Sequence, residues 1–187
     1  MLENPQFVIF TGPMFGSKTT KLLGLLDRLN YQKKKVAVFK ASLDDRYSKS
    51  EIITHSGSTQ PAVCISSGAD MLEYLANHSE VYEAVAVDEV FMIDGIADVL
   101  IWLYRTGTSV FVSSLTFSSA CDVFPEMEKI LPWATKIEMC PAVCTTCGSD
   151  AFYTYKKRDD GKMISIGGDD LYEARCWNHH KVKREVD

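Results

Sequence analysis

The stretch Phe7-Val8-Ile9-Phe10-Thr11-Gly12-Pro13-Met14-Phe15-Gly16-Ser17-Lys18-Thr19-Thr20 decides the fold class. Its apolar run reads as a strand and its glycine-bearing turn as a loop. Lys18-Thr19 opens a helix whose apolar side is Leu22, Leu23, Leu25, Leu26 and Leu29. That order describes a loop that cradles nucleotide phosphates: backbone N–H groups of the turn face phosphate oxygens, and the helix adds the positive end of its dipole. Lys18 offers a charge to the outer phosphates and Thr19 a hydroxyl to Mg²⁺. The usual pattern is G-x-x-x-x-G-K-[ST]; here Gly12 to Lys18 has the right length, but Ser17 precedes the lysine and the glycine stands one place earlier, at Gly16. If position 17 requires positive φ, the serine hinders the loop unless Gly16 takes up the bend.

Beyond the strand at 6–11, the apolar runs 36–41, 84–88 and 109–114 have the composition of strands buried on both faces of a parallel sheet. Helices are predicted over 18–33, 69–77, 94–106 and 122–132, the second opened by the Ser67-Gly68 turn and the third capped by Asp94. Such alternation implies right-handed βαβ units: an α/β core with a mostly parallel sheet, helices on both faces, and ligands beyond the carboxyl ends of the strands. Asp88-Glu89 ends the run at 84–88, so it projects from the same sheet edge as Lys18. An aspartate there can hold Mg²⁺ or its waters, and a neighbouring glutamate can reach the substrate side.

A length of 187 residues suits one moderate domain with a small appendage. The formal charge of −5, with basic runs only at 33–35 and 181–184, argues against wrapping nucleic acid. There is no charged-then-apolar leader and no apolar stretch approaching about eighteen residues, so the expected location is cytoplasmic, away from membranes. In a reducing compartment the six cysteines favour metal over disulfides. From Cys140 onward the strand and helix alternation gives way to short segments rich in cysteine, glycine and tyrosine. The expected division is a core at 1–139 and an extension at 140–187.

The extension carries Cys144-Thr-Thr-Cys147 and Cys176-Trp-Asn-His179. Two knuckles of matching spacing can close a tetrahedral, structural zinc site of three thiolates and one imidazole. His180 competes for the fourth place, and Cys140 is a more distant substitute. Cys64 and Cys121 have no partner pattern and default to small packed residues. Between the knuckles lies 165–176, with Gly167-Gly168 and Tyr172; by itself it is a turn that connects two strands.

In order and spacing, Gly12-Pro-Met-Phe with Lys18-Thr19, Asp44-Asp-Arg46-Tyr47, Thr54-His55-Ser56-Gly57, Val87-Asp88-Glu89, Cys144-x-x-Cys147 and Gly167-Gly168-x-x-x-Tyr172-x-x-x-Cys176 resemble the type II thymidine kinase family along nearly the whole chain. The resemblance implies transfer of the ATP γ-phosphate to the 5′-hydroxyl of thymidine or deoxyuridine, by an α/β core and a zinc-stabilised lasso that closes over the nucleoside. It implies phosphate binding by Gly12, Pro13, Met14, Phe15, Gly16, Ser17, Lys18, Thr19 and Arg46; magnesium held through Thr19, Asp88 and Asp44; and Glu89 as the base. Met14, Phe91, Phe117, Ile166, Gly167, Gly168 and Tyr172 would surround the nucleoside. It also implies a homotetramer inhibited by dTTP. The chain departs from the family in its Gly16-Ser17 order, in Val90-Phe91-Met92 after Glu89 where the family reads x-Q-F, in Ser118, Ser119, Ala120 and Cys121 after Phe117 where the family expects a basic residue, and in Lys156 and Lys157 where the family often has an arginine. Two other readings are a catalytically impaired relative kept for nucleotide sensing, and a different phosphate-loop enzyme whose zinc ribbon binds another macromolecule.

Overall fold

The computed structural model describes residues 4–43, 51–53, 59–158 and 160–180. Its centre is a six-stranded, all-parallel sheet built from β1 (Phe7–Gly12), β2 (Val36–Ala41), β5 (Val63–Ile65), β6 (Ala84–Asp88), β7 (Ser109–Leu115) and β8 (Lys136–Met139), in the order β5-β2-β6-β7-β1-β8. Between β2 and β5 the short strands β3 (Glu51–Ile53) and β4 (Thr59–Pro61) pair antiparallel. The four predicted core strands are present, within a residue or so of their expected bounds. β5 and β8, the two edge strands, were not among them.

Alternation along β1 shows why the sheet is buried on both sides. Val8 and Phe10 face a cluster with Leu22, Leu23, Leu26 and Leu29 of α1 (Lys18–Tyr31). Phe7 and Ile9 face the opposite cluster, which holds Met71 of α2 (Gly68–Asn77), Ile96, Leu100 and Leu103 of α3 (Ile96–Arg105), and Met127 and Ile130 of α4 (Pro125–Ile130). Burying both faces removes apolar area from water at about 25 cal/mol per Å² and leaves the strand ends as the place for polar chemistry.

The helices correct the expected boundaries. Ser67 caps α2 through a capping box with Asp70. Asp94 does not cap α3: the N-cap is Gly95, at φ 65°, and the buried N–H of Ala97 instead donates to Glu126 Oε2 of α4 at 2.7 Å. The backbone of Asp94 bonds to the turn before α2, with Gly68 N–H donating to its carbonyl at 2.8 Å. The helix predicted at 122–132 starts at Pro125, where a proline at the first turn suits the missing donor, and passes into a 3₁₀ turn at Leu131–Trp133.

After β8 the chain leaves the central sheet and forms two small antiparallel pairs. β9 (Ala142–Val143) pairs with β10 (Asp150–Ala151), and β11 (Tyr153–Lys156) pairs with β12 (Tyr172–Arg175). Their interior is small, made of Ala142, Cys144, Ala151, Ala174 and Cys176, with Phe15 of the β1–α1 loop packed against it.

Candidate active site

The β1–α1 loop closes at the carboxyl end of the sheet, as its composition requires. Gly12 and Gly16 both lie against the carbonyl of Cys140: a Cβ on either would come within 2.2 Å or 2.3 Å of that oxygen. Close approach therefore selects glycine at 16, and the left-handed turn falls elsewhere, on Phe15 at φ 66° and Ser17 at φ 57°. Gly16 does not take up the bend. Ser17 is the N-cap of α1 and its side chain makes no capping hydrogen bond, which leaves that helix end to an anionic ligand. Lys18 is buried and its Nζ donates to the carbonyl of Pro13 at 2.7 Å, folding the charge over the loop.

Thr19 is tied to the end of β6. Its Oγ1 donates to Asp88 Oδ1 at 3.1 Å, and Ser113 Oγ of β7 donates to the same carboxylate oxygen. Ser113 Oγ also accepts from the N–H of Glu89 at 3.2 Å. Glu89 stands at φ 56°, a left-handed conformation that is strained for a long side chain and recurs where chemistry sets the backbone. It turns the chain out of the strand, so Asp88 stays with Thr19 and the phosphate loop. Glu89 lines instead the adjacent cleft.

The space between the walls of that cleft, open solvent included, is about 460 Å³, and its lining is mostly apolar. Met14, Glu89, Phe91, Leu115, Ser118, Ser119 and Phe124 line it from the core, and Thr154 of β11, Tyr172 of β12 and Met163, Ile164, Ser165, Ile166 and Gly167 of the segment between them line it from the extension. Phe91 is braced by Phe124, ring centroids 4.5 Å apart. Of the nucleoside contacts implied by resemblance, Met14, Phe91, Ile166, Gly167 and Tyr172 meet at this cleft. Phe117 and Gly168 are outside its lining. Phe117 packs on Tyr153, 5.5 Å between ring centroids, and the Gly168 carbonyl accepts from Tyr172 N–H at 2.9 Å. Asp44 and Arg46 lie outside the described residues, as does 54–57.

Lys156 holds the covering segment from inside. Only 6% of its side chain is exposed, and its Nζ reaches Asp160 Oδ1, the Lys162 carbonyl at 3.1 Å and Ser165 Oγ at 2.8 Å. Tyr172 Oη donates to the Ser165 carbonyl at 2.8 Å, and Lys157 Nζ to that of Asp169 at 2.6 Å. Hydrogen bonds from Lys156 and Ser165 hold the Asp160 carboxyl well below the ordinary carboxylate range.

The two knuckles converge at the base of these hairpins. The ligand atoms of Cys144, Cys147, Cys176 and His179 lie within 4.8 Å of one another. Cys147 Sγ is 3.7 Å from Cys176 Sγ, and His179 Nδ1 is 3.1 Å from Cys176 Sγ and 3.7 Å from Cys144 Sγ. Tetrahedral zinc, with bonds of about 2.0–2.3 Å, sets its ligand atoms roughly 3.5–3.8 Å apart, so the four groups fit that ion and leave no open position. Burial pushes the Cys144 thiol up, but hydrogen bonds from the backbone of 176, 146 and 147 outweigh it and bring it down to about 5, the thiolate form a metal needs. His180 is not the fourth ligand: its Nε2 lies 3.2 Å from the Thr154 carbonyl and its ring stacks on Tyr153. Cys140 is also elsewhere, under the phosphate loop.

A thymidine kinase family model matches residues 6–180. The chain belongs to the thymidine kinase family. It is 35% identical over 187 residues to a thymidine kinase of Thermococcus kodakarensis, covering 95% of this chain and 94% of that one. It is 32% identical over 183 residues to one of Ureaplasma urealyticum and 33% to one of Ureaplasma parvum, each match covering 93% of this chain and 82% of the relative. Among the described residues no helix is long and apolar enough to cross a membrane.

Several residues of this family member's site were not read from its sequence. Ser113 is the first of two adjacent serines that follow the apolar Val110-Phe111-Val112 of β7, beside the strand that ends in Asp88, and that change of polarity was a usable signal. Thr154, whose Oγ1 accepts from the N–H of Met14 at 3.0 Å across 140 positions, offered none.

Proposed function

We propose that this chain is a thymidine kinase, transferring the γ-phosphate of ATP to the 5′-hydroxyl of thymidine to give dTMP. One observation carries the reading. Asp88 is hydrogen-bonded to Thr19 of the phosphate loop, and the very next residue, Glu89, lines a mostly apolar cleft that the segment between β11 and β12 covers. Phosphoryl donor and alcohol acceptor would thus meet across a single peptide unit.

In this reading Lys18 leaves the Pro13 carbonyl for the outer phosphates, and backbone N–H groups of the loop and the first turn of α1 hold the rest. Thr19 and Asp88 would hold Mg²⁺, joined by Asp44, with Arg46 steadying the phosphates. Mg²⁺ when bound neutralises charge on the β- and γ-phosphates. The thymine ring would lie among Met14, Phe91, Ile166, Gly167 and Tyr172, with Gly168 shaping the covering turn and Phe117 in support through Tyr153. Glu89 then accepts the 5′-hydroxyl proton as that oxygen attacks the γ-phosphorus; the bond to the bridging oxygen breaks and ADP leaves. Ser113, by holding both Asp88 and the Glu89 N–H, sets the two carboxylates relative to each other.

We further read residues 1–139 as the catalytic core and 140–187 as a zinc-stabilised lasso domain. Family membership supports a cytoplasmic homotetramer serving DNA synthesis, with deoxyuridine as a second acceptor and dTTP as inhibitor. The test is an assay with ATP, Mg²⁺ and thymidine: dTMP should form, and Glu89→Gln should lower kcat about 10²- to 10⁴-fold while ATP binding holds. Tight thymidine binding with no turnover in the unmodified protein would instead establish a nucleotide sensor.

A further inference from the structure

The zinc module touches more than the nucleoside cover. Phe15, in the middle of the phosphate loop, packs against the small interior formed by Ala142, Cys144, Ala151, Ala174 and Cys176, two of which are knuckle cysteines. It does so at φ 66°, a conformation that a bulky residue keeps only where its surroundings over-determine it. On one side of it, the N–H of Met14 donates to Thr154 Oγ1 of β11 at 3.0 Å. On the other, Gly16 rests on the Cys140 carbonyl, where the chain leaves the sheet for the first knuckle. Three consecutive loop residues, 14 to 16, are therefore each held by the segment that begins at Cys140. A loop whose dihedrals are set from outside cannot keep its phosphate geometry when that outside support loosens.

We propose that Phe15 is a positioning residue through which the zinc module clamps the phosphate loop, so that an intact zinc site sets the affinity for ATP as well as covering the nucleoside. This rests on the kinase reading above. Phe15 offers its ring to the knuckle interior, and the strained turn it imposes presents the loop amides to the phosphates. Losing the ring frees the loop while leaving the four zinc ligands in place.

The experiment uses the full-length, zinc-loaded protein, with ATP and thymidine affinities measured separately by equilibrium titration and zinc content by metal analysis. Phe15→Ala should weaken ATP binding roughly tenfold, as small misplacements of positioning groups do, with thymidine affinity and zinc content near those of the unmodified protein. Phe15→Leu should restore most of the ATP affinity. Should Phe15→Ala fail to fold, Thr154→Val, which keeps the side chain's shape and removes the bond to Met14, should weaken ATP binding in the same direction. Stripping zinc should weaken ATP binding in the unmodified protein and add less in Phe15→Ala, because both changes act on one contact. Unchanged ATP affinity in the variants, equal loss of ATP and thymidine binding together with zinc, or identical effects of zinc removal with and without the ring would each overturn the clamp. If the unmodified protein binds thymidine but no ATP, the kinase reading fails first.

Discussion

The carbonyl oxygen of Cys140 stands so close to Gly16 that a Cβ added there would lie 2.3 Å from it. Residue 16 is held to glycine by a group 124 positions away, whichever residue follows it. The order Gly16-Ser17, a departure when read along the chain, is the one this contact demands.

Exchanging the two residues, by Gly16→Ser together with Ser17→Gly, should therefore damage the loop. We expect a lower Tm and ATP binding weakened at least roughly tenfold, as for other misplaced binding groups. Ser17→Gly alone should raise stability by at most about 1 kcal/mol, since it relieves the left-handed strain but gains freedom in the unfolded chain. Thermal melts of both variants check this; an exchanged protein with unchanged Tm and ATP affinity would remove the contact as a constraint.

Lys156→Met should loosen the cover and spare the phosphate loop. The ammonium is buried among Asp160, the Lys162 carbonyl and Ser165, and charge-assisted bonds of this kind contribute about 1.5–3 kcal/mol each. The expected result is a KM for thymidine raised roughly tenfold with the KM for ATP nearly constant. Steady-state kinetics with each substrate varied in turn makes the comparison, and equal changes in both constants would contradict it.

The same network fixes a pH dependence. The Asp160 carboxyl is held below its ordinary value, so its contribution to cover stability is fully present above the unfolded value near about pH 4 and is lost only as pH falls through the lower folded value. Hydrogen exchange at 160–167 should stay protected, after correction for intrinsic rates, as pH falls from neutrality to about 5, above that window. Asp160→Asn should lose much of this protection at neutral pH.

One zinc ion per chain is expected at Cys144, Cys147, Cys176 and His179. Cys147→Ser should lose it, whereas His180→Asn should retain it, because the His180 ring is engaged with Thr154 and Tyr153. Metal analysis of protein prepared without chelator decides between them.

Much of the core was legible because its signals are local. Val36–Ala41, Ala84–Asp88 and Ser109–Leu115 are buried nearly throughout, so predominantly apolar runs mark them. β8 escaped notice because it is an edge strand: Ile137 and Met139 are about half exposed and alternate with Lys136 and Glu138, which pair with each other, Glu138 also meeting Lys21 of α1. Asp94 had the composition of a cap, yet Glu126, 29 positions from Ala97, does that work.

Residue order alone predicted the strand, loop and helix around Lys18, the acidic pair at the same sheet edge and the pairing of the two cysteine knuckles. Each depends on period or spacing over a few residues, where backbone geometry leaves little choice. The place of His179 rather than His180 beside the three cysteines, the glycine demanded at 16, Ser113 between the Asp88 carboxylate and the Glu89 N–H, and Phe15 against the small interior of the extension came only with folding. These depend on contacts between segments many tens of residues apart, and such contacts arise from how apolar faces stack, which no local pattern encodes.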